Sequence, residues 1–200
     1  MFQLTPAVKH LLFINAIMFF ASLSLMAEYK HVLYLFYPES PMFRPWQVIT
    51  HMFMHGSMNH ILFNMLSLFF IGPLMEQSLG TRKFAVYYIA CGMGGAVLHV
   101  ISKFIAIHYM GDLGEINVPV VGASGAINGL FVGLAYLYPN LPMSLLFIPI
   151  PVKAKYLAMF FIAGGLIWGL SGYQTGIAHY AHLGGALIGF LLLYFWKVKG

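Results

Sequence analysis

The sequence predicts an all-α membrane protein, a bundle of six transmembrane helices, and three observations lead there. Of its 200 residues 60% are hydrophobic and only 8% charged, with a mean hydropathy of +0.83, too little charge to coat a soluble domain of this length. Apolar runs able to cross a hydrocarbon layer of roughly 30 Å, about 20 helical residues each, fall near 7–27, 59–75, 84–104, 122–138, 156–172 and 177–196. The sequence has none of the ten-residue alternating segments of an outer-membrane barrel, so each span is expected to satisfy its backbone polar groups within a helix. No fixed repeat, low-complexity tract or linker divides the chain, and residues 1–200 read as one domain.

The ten Lys and Arg residues orient the bundle. Lys9, Arg82, Lys83, Lys153, Lys155, Lys197 and Lys199 share one side of a six-span topology, against Lys30, Arg44 and Lys103 on the other, so both termini are expected in the cytoplasm. The net charge of +5 is then inner-face anchoring. No basic stripe with interleaved aromatics points to nucleic acid. The first span has a thin positive region and Leu25 where a cleavable leader needs a small residue, so it reads as retained.

The connection from Glu28 to Met58 is rich in aromatics and prolines, including Tyr34, Tyr37, Pro45 and Trp46, and reads as a functional loop resting in the membrane interface. It leads into the second span, where His60 and Asn64 stand at i and i+4 and so project from one face. Such a pair serves either an interhelical hydrogen bond or two donors aimed at developing negative charge. Leu79-Gly80-Thr81 reads as a helix stop and tight inner turn before the third span, which holds the single cysteine, Cys91, and so no internal disulfide forms.

The fourth span opens with Gly122-Ala123-Ser124-Gly125, and Gly125, Gly129 and Gly133 recur every four residues to form a smooth helix face. Pro139, Pro142, Pro149 and Pro151 follow it, and Met143–Val152 reads as an interfacial segment rather than a span. In the sixth span Ala181, Gly185 and Gly189 make a second small face, with His182 beside its outer end. Packing these two faces together lets His182 meet Ser124.

The second, fourth and sixth spans run in the same direction, and His60, Ser124 and His182 all fall near their outer ends. The acids Glu28, Glu39, Glu76, Asp112 and Glu115 all lie away from the outer ends of the fourth and sixth spans. A Ser-His-Asp triad is therefore not expected, and a dyad is: neutral His182 takes the Ser124 proton and returns it to a leaving amine.

These motifs, Gly-Ala-Ser-Gly with Ser124, His-x-x-x-Asn with His60 and Asn64, and Ala-His-x-x-Gly-x-x-x-Gly with His182, Gly185 and Gly189, resemble those of the rhomboid intramembrane serine proteases in their six-span bacterial form. The resemblance runs from Trp46 to the last span. It implies Ser124 as nucleophile, His182 as general base, and His60, Asn64 and the Ser124 amide as an oxyanion hole. It further implies Gly122, Gly125, Asn128, Gly185 and Gly189 as supporting residues, single-span membrane proteins as substrates cut near the outer face, no cofactor or metal, and residence in the bacterial inner membrane. Two positions depart from the family pattern: Asn128, where an aromatic often supports the catalytic histidine and where a hydrogen bond to His182 could take its place, and Gln47, where many relatives carry Arg. A different class stays open, in which His51, His55, His60, His179 and His182 serve as metal ligands or a proton path; under the protease reading His51 and His55 fix the loop by hydrogen bonds.

Overall fold

The computed structural model describes residues 3–145, 148–171 and 178–198. Its main helices are α1 (Pro6–Leu23), α3 (Met58–Leu79), α4 (Thr81–His108), α5 (Ser124–Leu137), α6 (Ala154–Leu170) and α7 (His179–Phe195), with a one-turn α2 (Gln47–Thr50) in the long first connection. The first three of these are long and apolar enough to cross a membrane, while α5, α6 and α7 are shorter apolar helices, and the chain is an integral membrane protein. The starting residue expected for the sixth span, Ile177, and the end expected for the fifth, Gly172, lie outside the described residues.

Lipid is as apolar as leucine, so burial alone does not draw such helices together and close backbone packing has to. The centre of the bundle shows how. Helix α5 is buried on most of its surface, between α4 and α7. A methyl group on Gly185 would overlap the Gly125 carbonyl, and one on Gly189 would lie 2.9 Å from Gly129 Cα. The small faces of α5 and α7 therefore touch main chain to main chain. Helix α4 joins them as a third small-residue partner that the sequence reading passed over: a Cβ on Gly95 would lie 2.6 Å from the Ala181 carbonyl oxygen, and Gly94 packs on Gly184. The Tyr87 hydroxyl donates to the Gly129 carbonyl at 2.7 Å, adding an interhelical bond worth about 1 kcal/mol.

Helix α1 is tied in by an acid. Glu76 is 2% exposed near the end of α3, and its carboxylate accepts the Ala7 and Val8 amides at 3.0 Å each and the Thr81 hydroxyl at 2.7 Å. Those amides belong to the first turn of α1, where no helical partner exists and the helix dipole favours a negative charge. Gly80 alone separates α3 from α4.

At three places the structure adds what the sequence did not show. Lys103, counted among the outer cations, is buried: Nζ donates to the Glu115 and Val118 carbonyls at 2.6 Å and pairs with the Glu115 carboxylate at 3.0 Å, so it ties α4 to the following connection rather than anchoring a surface. The segment read as interfacial forms two antiparallel strands, β1 (Pro142–Leu145) and β2 (Ile148–Lys153), paired Met143 to Val152. Prolines fit there because both strands of a two-stranded sheet are edges, where a missing N–H can face outward. The long first connection is ordered, with Leu35 paired to Val120 by two backbone hydrogen bonds and Leu35, Phe36 and Met52 buried.

Candidate active site

Gln47 builds the frame of the site. Fully buried in α2, its Oε1 accepts the Phe36 and Arg44 amides and its Nε2 donates to the Val32 and Met42 carbonyls. The loop thus keeps its hydrogen bonding with Gln where an Arg is common in the resembled family. One turn on, His51 Nδ1 pairs with the Gln47 carbonyl at 2.8 Å, and the His51 carbonyl accepts the Gly122 amide at 2.9 Å. The loop is in this way fastened to the residue two before Ser124.

Gly122 has φ +123°, a conformation that side chains rarely adopt, and a Cβ there would stand 2.6 Å from His60 Nε2 and 3.8 Å from Asn64 Nδ2. The main chain before Ser124 therefore passes flush against both side chains of α3. Ser57 caps that helix, accepting the His60 amide at 3.2 Å. Asn64 is buried and its amide nitrogen has no hydrogen-bond partner.

Ser124 is the first residue of α5, so its own amide belongs to the unpaired first turn of a helix. Its Oγ lies 2.8 Å from His182 Nε2 on α7. With the proton on Nδ1, Nε2 accepts from the hydroxyl, the arrangement from which an imidazole withdraws a serine proton. Both side chains are half-buried. His179 lies one turn earlier, its ring centroid 6.5 Å from that of His182. Among the described residues no carboxylate bonds His182: Glu76 caps α1, Glu115 pairs with Lys103, and Glu39 accepts from His108.

Asn128 does not bond the His182 ring; its Nδ2 donates to the Ser124 carbonyl at 2.9 Å, one turn back on its own helix, where a local acceptor is always within reach. His55, expected to fix the loop by hydrogen bonds, makes no well-formed one at either ring nitrogen, only a marginal contact with the Phe53 backbone. His51 and His55 lie outside the long helices, and burial pushes their imidazoles down from 6.5, to about 4 for His51 and, with His60 beside it, about 3 for His55. His99 on α4 is a residue the sequence reading missed: its buried Nε2 is unpartnered, and it lies within electrostatic reach of His51 and His182. Its position four residues after Gly95, on the small-residue side of the third span, was the available signal. The metal reading needed convergent ligands, and among the described residues no group of three or more His, Cys, Asp or Glu is gathered to hold an ion.

Residues 43–198 match the family model described as the Rhomboid domain. The chain is 31% identical over 147 residues to RHOMBOID-like protein 12, mitochondrial, of Arabidopsis thaliana, covering 70% of this chain and 43% of that protein. It is 32% identical over 157 residues to rhomboid protease AarA of Providencia stuartii, covering 74% and 54%, and 24% identical over 193 residues to rhomboid protease GlpG of Salmonella choleraesuis, covering 94% and 62%. The chain thus spans less than two thirds of the length of these relatives.

Proposed function

This chain belongs to the rhomboid family, and from that premise we propose that it is an intramembrane serine endopeptidase working through a Ser124–His182 dyad. The observation that carries the reading is the 2.8 Å approach of His182 Nε2 to Ser124 Oγ across two apolar helices. A hydroxyl and an imidazole inside a membrane bundle are costly unless they serve each other or a substrate.

In the first half-reaction Ser124 Oγ attacks the carbonyl carbon of the scissile bond as His182 Nε2 takes its proton. The negative charge that forms on the carbonyl oxygen is met by donors already in place: the Asn64 amide, the His60 ring and the Ser124 backbone N–H. Such preorganised donors strengthen in the transition state and each contributes about 3–4 kcal/mol when removed singly. His182 then returns the proton to the leaving amine, and water, activated by the same imidazole, hydrolyses the acyl-enzyme. No acid orients His182, so the α5–α7 contact itself has to hold the ring.

The substrates are single-span membrane proteins cut near the outer face. Support comes from the length of α5: fourteen residues make a helix of about 21 Å, short of the roughly 30 Å layer, so a serine at its first turn sits below the surface. Both termini face the cytoplasm, a reading supported by Lys9, Arg82, Lys83, Lys153, Lys155 and Lys197 at one set of helix ends, and the likeness to the six-span bacterial form supports a bacterial inner membrane. All six long helices then count as spans of one domain.

The test is cleavage of a single-span substrate in liposomes together with serine labelling by a fluorophosphonate. Wild type should cleave and label, and folded Ser124→Ala should do neither. Turnover retained in Ser124→Ala would sink the proposal.

A further inference from the structure

His55 stands between the 3-10 turn His51–Phe53 and α3, only 3% exposed, with no well-formed hydrogen bond at either ring nitrogen beyond a marginal contact with the Phe53 backbone. Each buried polar group without a partner costs about 1–3 kcal/mol, and a phenyl ring would fill the same space without that cost. The imidazole does meet one side chain of consequence. Its ring lies edge-on to that of His60, with centroids 5.1 Å apart and planes at 72°. Among the described residues no hydrogen bond holds the His60 ring; its neighbours include Gly122, where Nε2 lies 2.6 Å from the position of a Cβ, and the His55 ring. Gly122 is itself fixed by the His51 carbonyl.

We propose that His55 is a positioning residue for His60, its edge-on ring fixing the plane in which His60 Nε2 faces Gly122 and Asn64. The inference rests on the reading of His60 as an oxyanion donor. The edge-on contact favours one plane of the His60 ring over its rotation about the outer bond, so removing His55 frees the donor without touching it. Burial keeps His55 uncharged at neutral pH, so the ring does not repel a partner that carries a proton.

The experiment measures kcat and KM for the full chain in liposomes, with wild type, His55→Ala, His55→Phe, His60→Ala and the His55→Ala/His60→Ala double variant, each checked for its melting temperature. His55→Ala should lower kcat about 10-fold or more with KM within about twofold, because the loss is confined to the transition state. His55→Phe should recover most of that kcat, and the double variant should be no slower than His60→Ala. Unchanged kcat in His55→Ala, or losses that multiply in the double variant, would overturn the inference alone. A wild-type rate in His60→Ala would remove the oxyanion role of His60 and this inference with it, while leaving the Ser124 labelling test untouched.

Discussion

The carbonyl of Gly125 occupies the space that a side chain on Gly185 would need. Because both groups are main chain, neither can swing aside, and the pair sets the distance between α5 and α7. Gly185→Ala should therefore cost at least the 1–3 kcal/mol typical of overpacking, roughly, and should move His182 off Ser124, abolishing fluorophosphonate labelling. Gly164→Ala on α6, where an added methyl meets nothing within 4 Å, should instead stabilise by about 0.4–1 kcal/mol. Melting temperatures in detergent, with labelling rates on the folded fraction, check both.

Asn64 offers a second separation of rate from stability. Its buried amide nitrogen has no partner, so removing it should leave the fold as stable as before, since an unmade hydrogen bond has nothing to lose. Asn64→Ala should nonetheless lower kcat about 100- to 1,000-fold with little change in KM. Parallel losses of melting temperature and rate would assign Asn64 to packing.

His182 reaches Ser124 and His179 stands a turn away. His182→Ala should be inactive and His179→Ala should keep substantial activity against one substrate. Asn128→Ala should lose part of the activity, because its amide steadies the Ser124 carbonyl. An inactive His179→Ala beside an active His182→Ala would reverse the assignment of the base.

Gln47→Ala breaks the four hydrogen bonds that shape the first connection, at a cost of about 2–6 kcal/mol for bonds worth roughly 0.5–1.5 each. Limited proteolysis should then cut between residues 30 and 50 where wild type resists. Gln47→Glu should be at least as damaging, since it deletes both donors and buries a charge.

Acid should loosen the same region. The folded protein holds His51 and His55 neutral, down to about 4 and about 3, whereas the unfolded chain protonates them near 6.5. Their stabilisation is complete above about 6.5 and is lost as pH falls toward 4 and 3, because there the unfolded state binds more protons. The melting temperature should fall between pH 7 and pH 4, and His55→Phe should make that fall shallower; an unchanged slope would contradict the burial argument.

What could be read from the sequence followed the periodicity of its small residues. Gly125, Gly129, Gly185 and Gly189 repeat every four positions, and that spacing alone brings α5 against α7 with a serine and a histidine at one end. Gly94 and Gly95 carry the same physics, but they are adjacent rather than four apart and form no repeat with a serine or histidine at its end, so neither they nor His99 stood out. Glu76 looked like a stray acid because its partners, the Ala7 and Val8 amides, are backbone groups distant in sequence. The strands β1 and β2 were hidden by their prolines, which break a helix and a central strand alike but not an edge. Asn128 was aimed across the interface because its local acceptor, a carbonyl of its own helix, leaves no trace in the sequence.

The carboxylate beneath α1 also constrains how the molecule is made. Val8 and Glu76 are 68 residues apart, and at about 5–20 residues per second of synthesis that interval is on the order of 3 to 14 s. Throughout it the first-turn amides of α1 have only water to bond, so the opening helix reaches the bilayer before the group that caps it exists. Its final seating waits for the far end of α3 to emerge, and the order of docking within the bundle is not the order of translation.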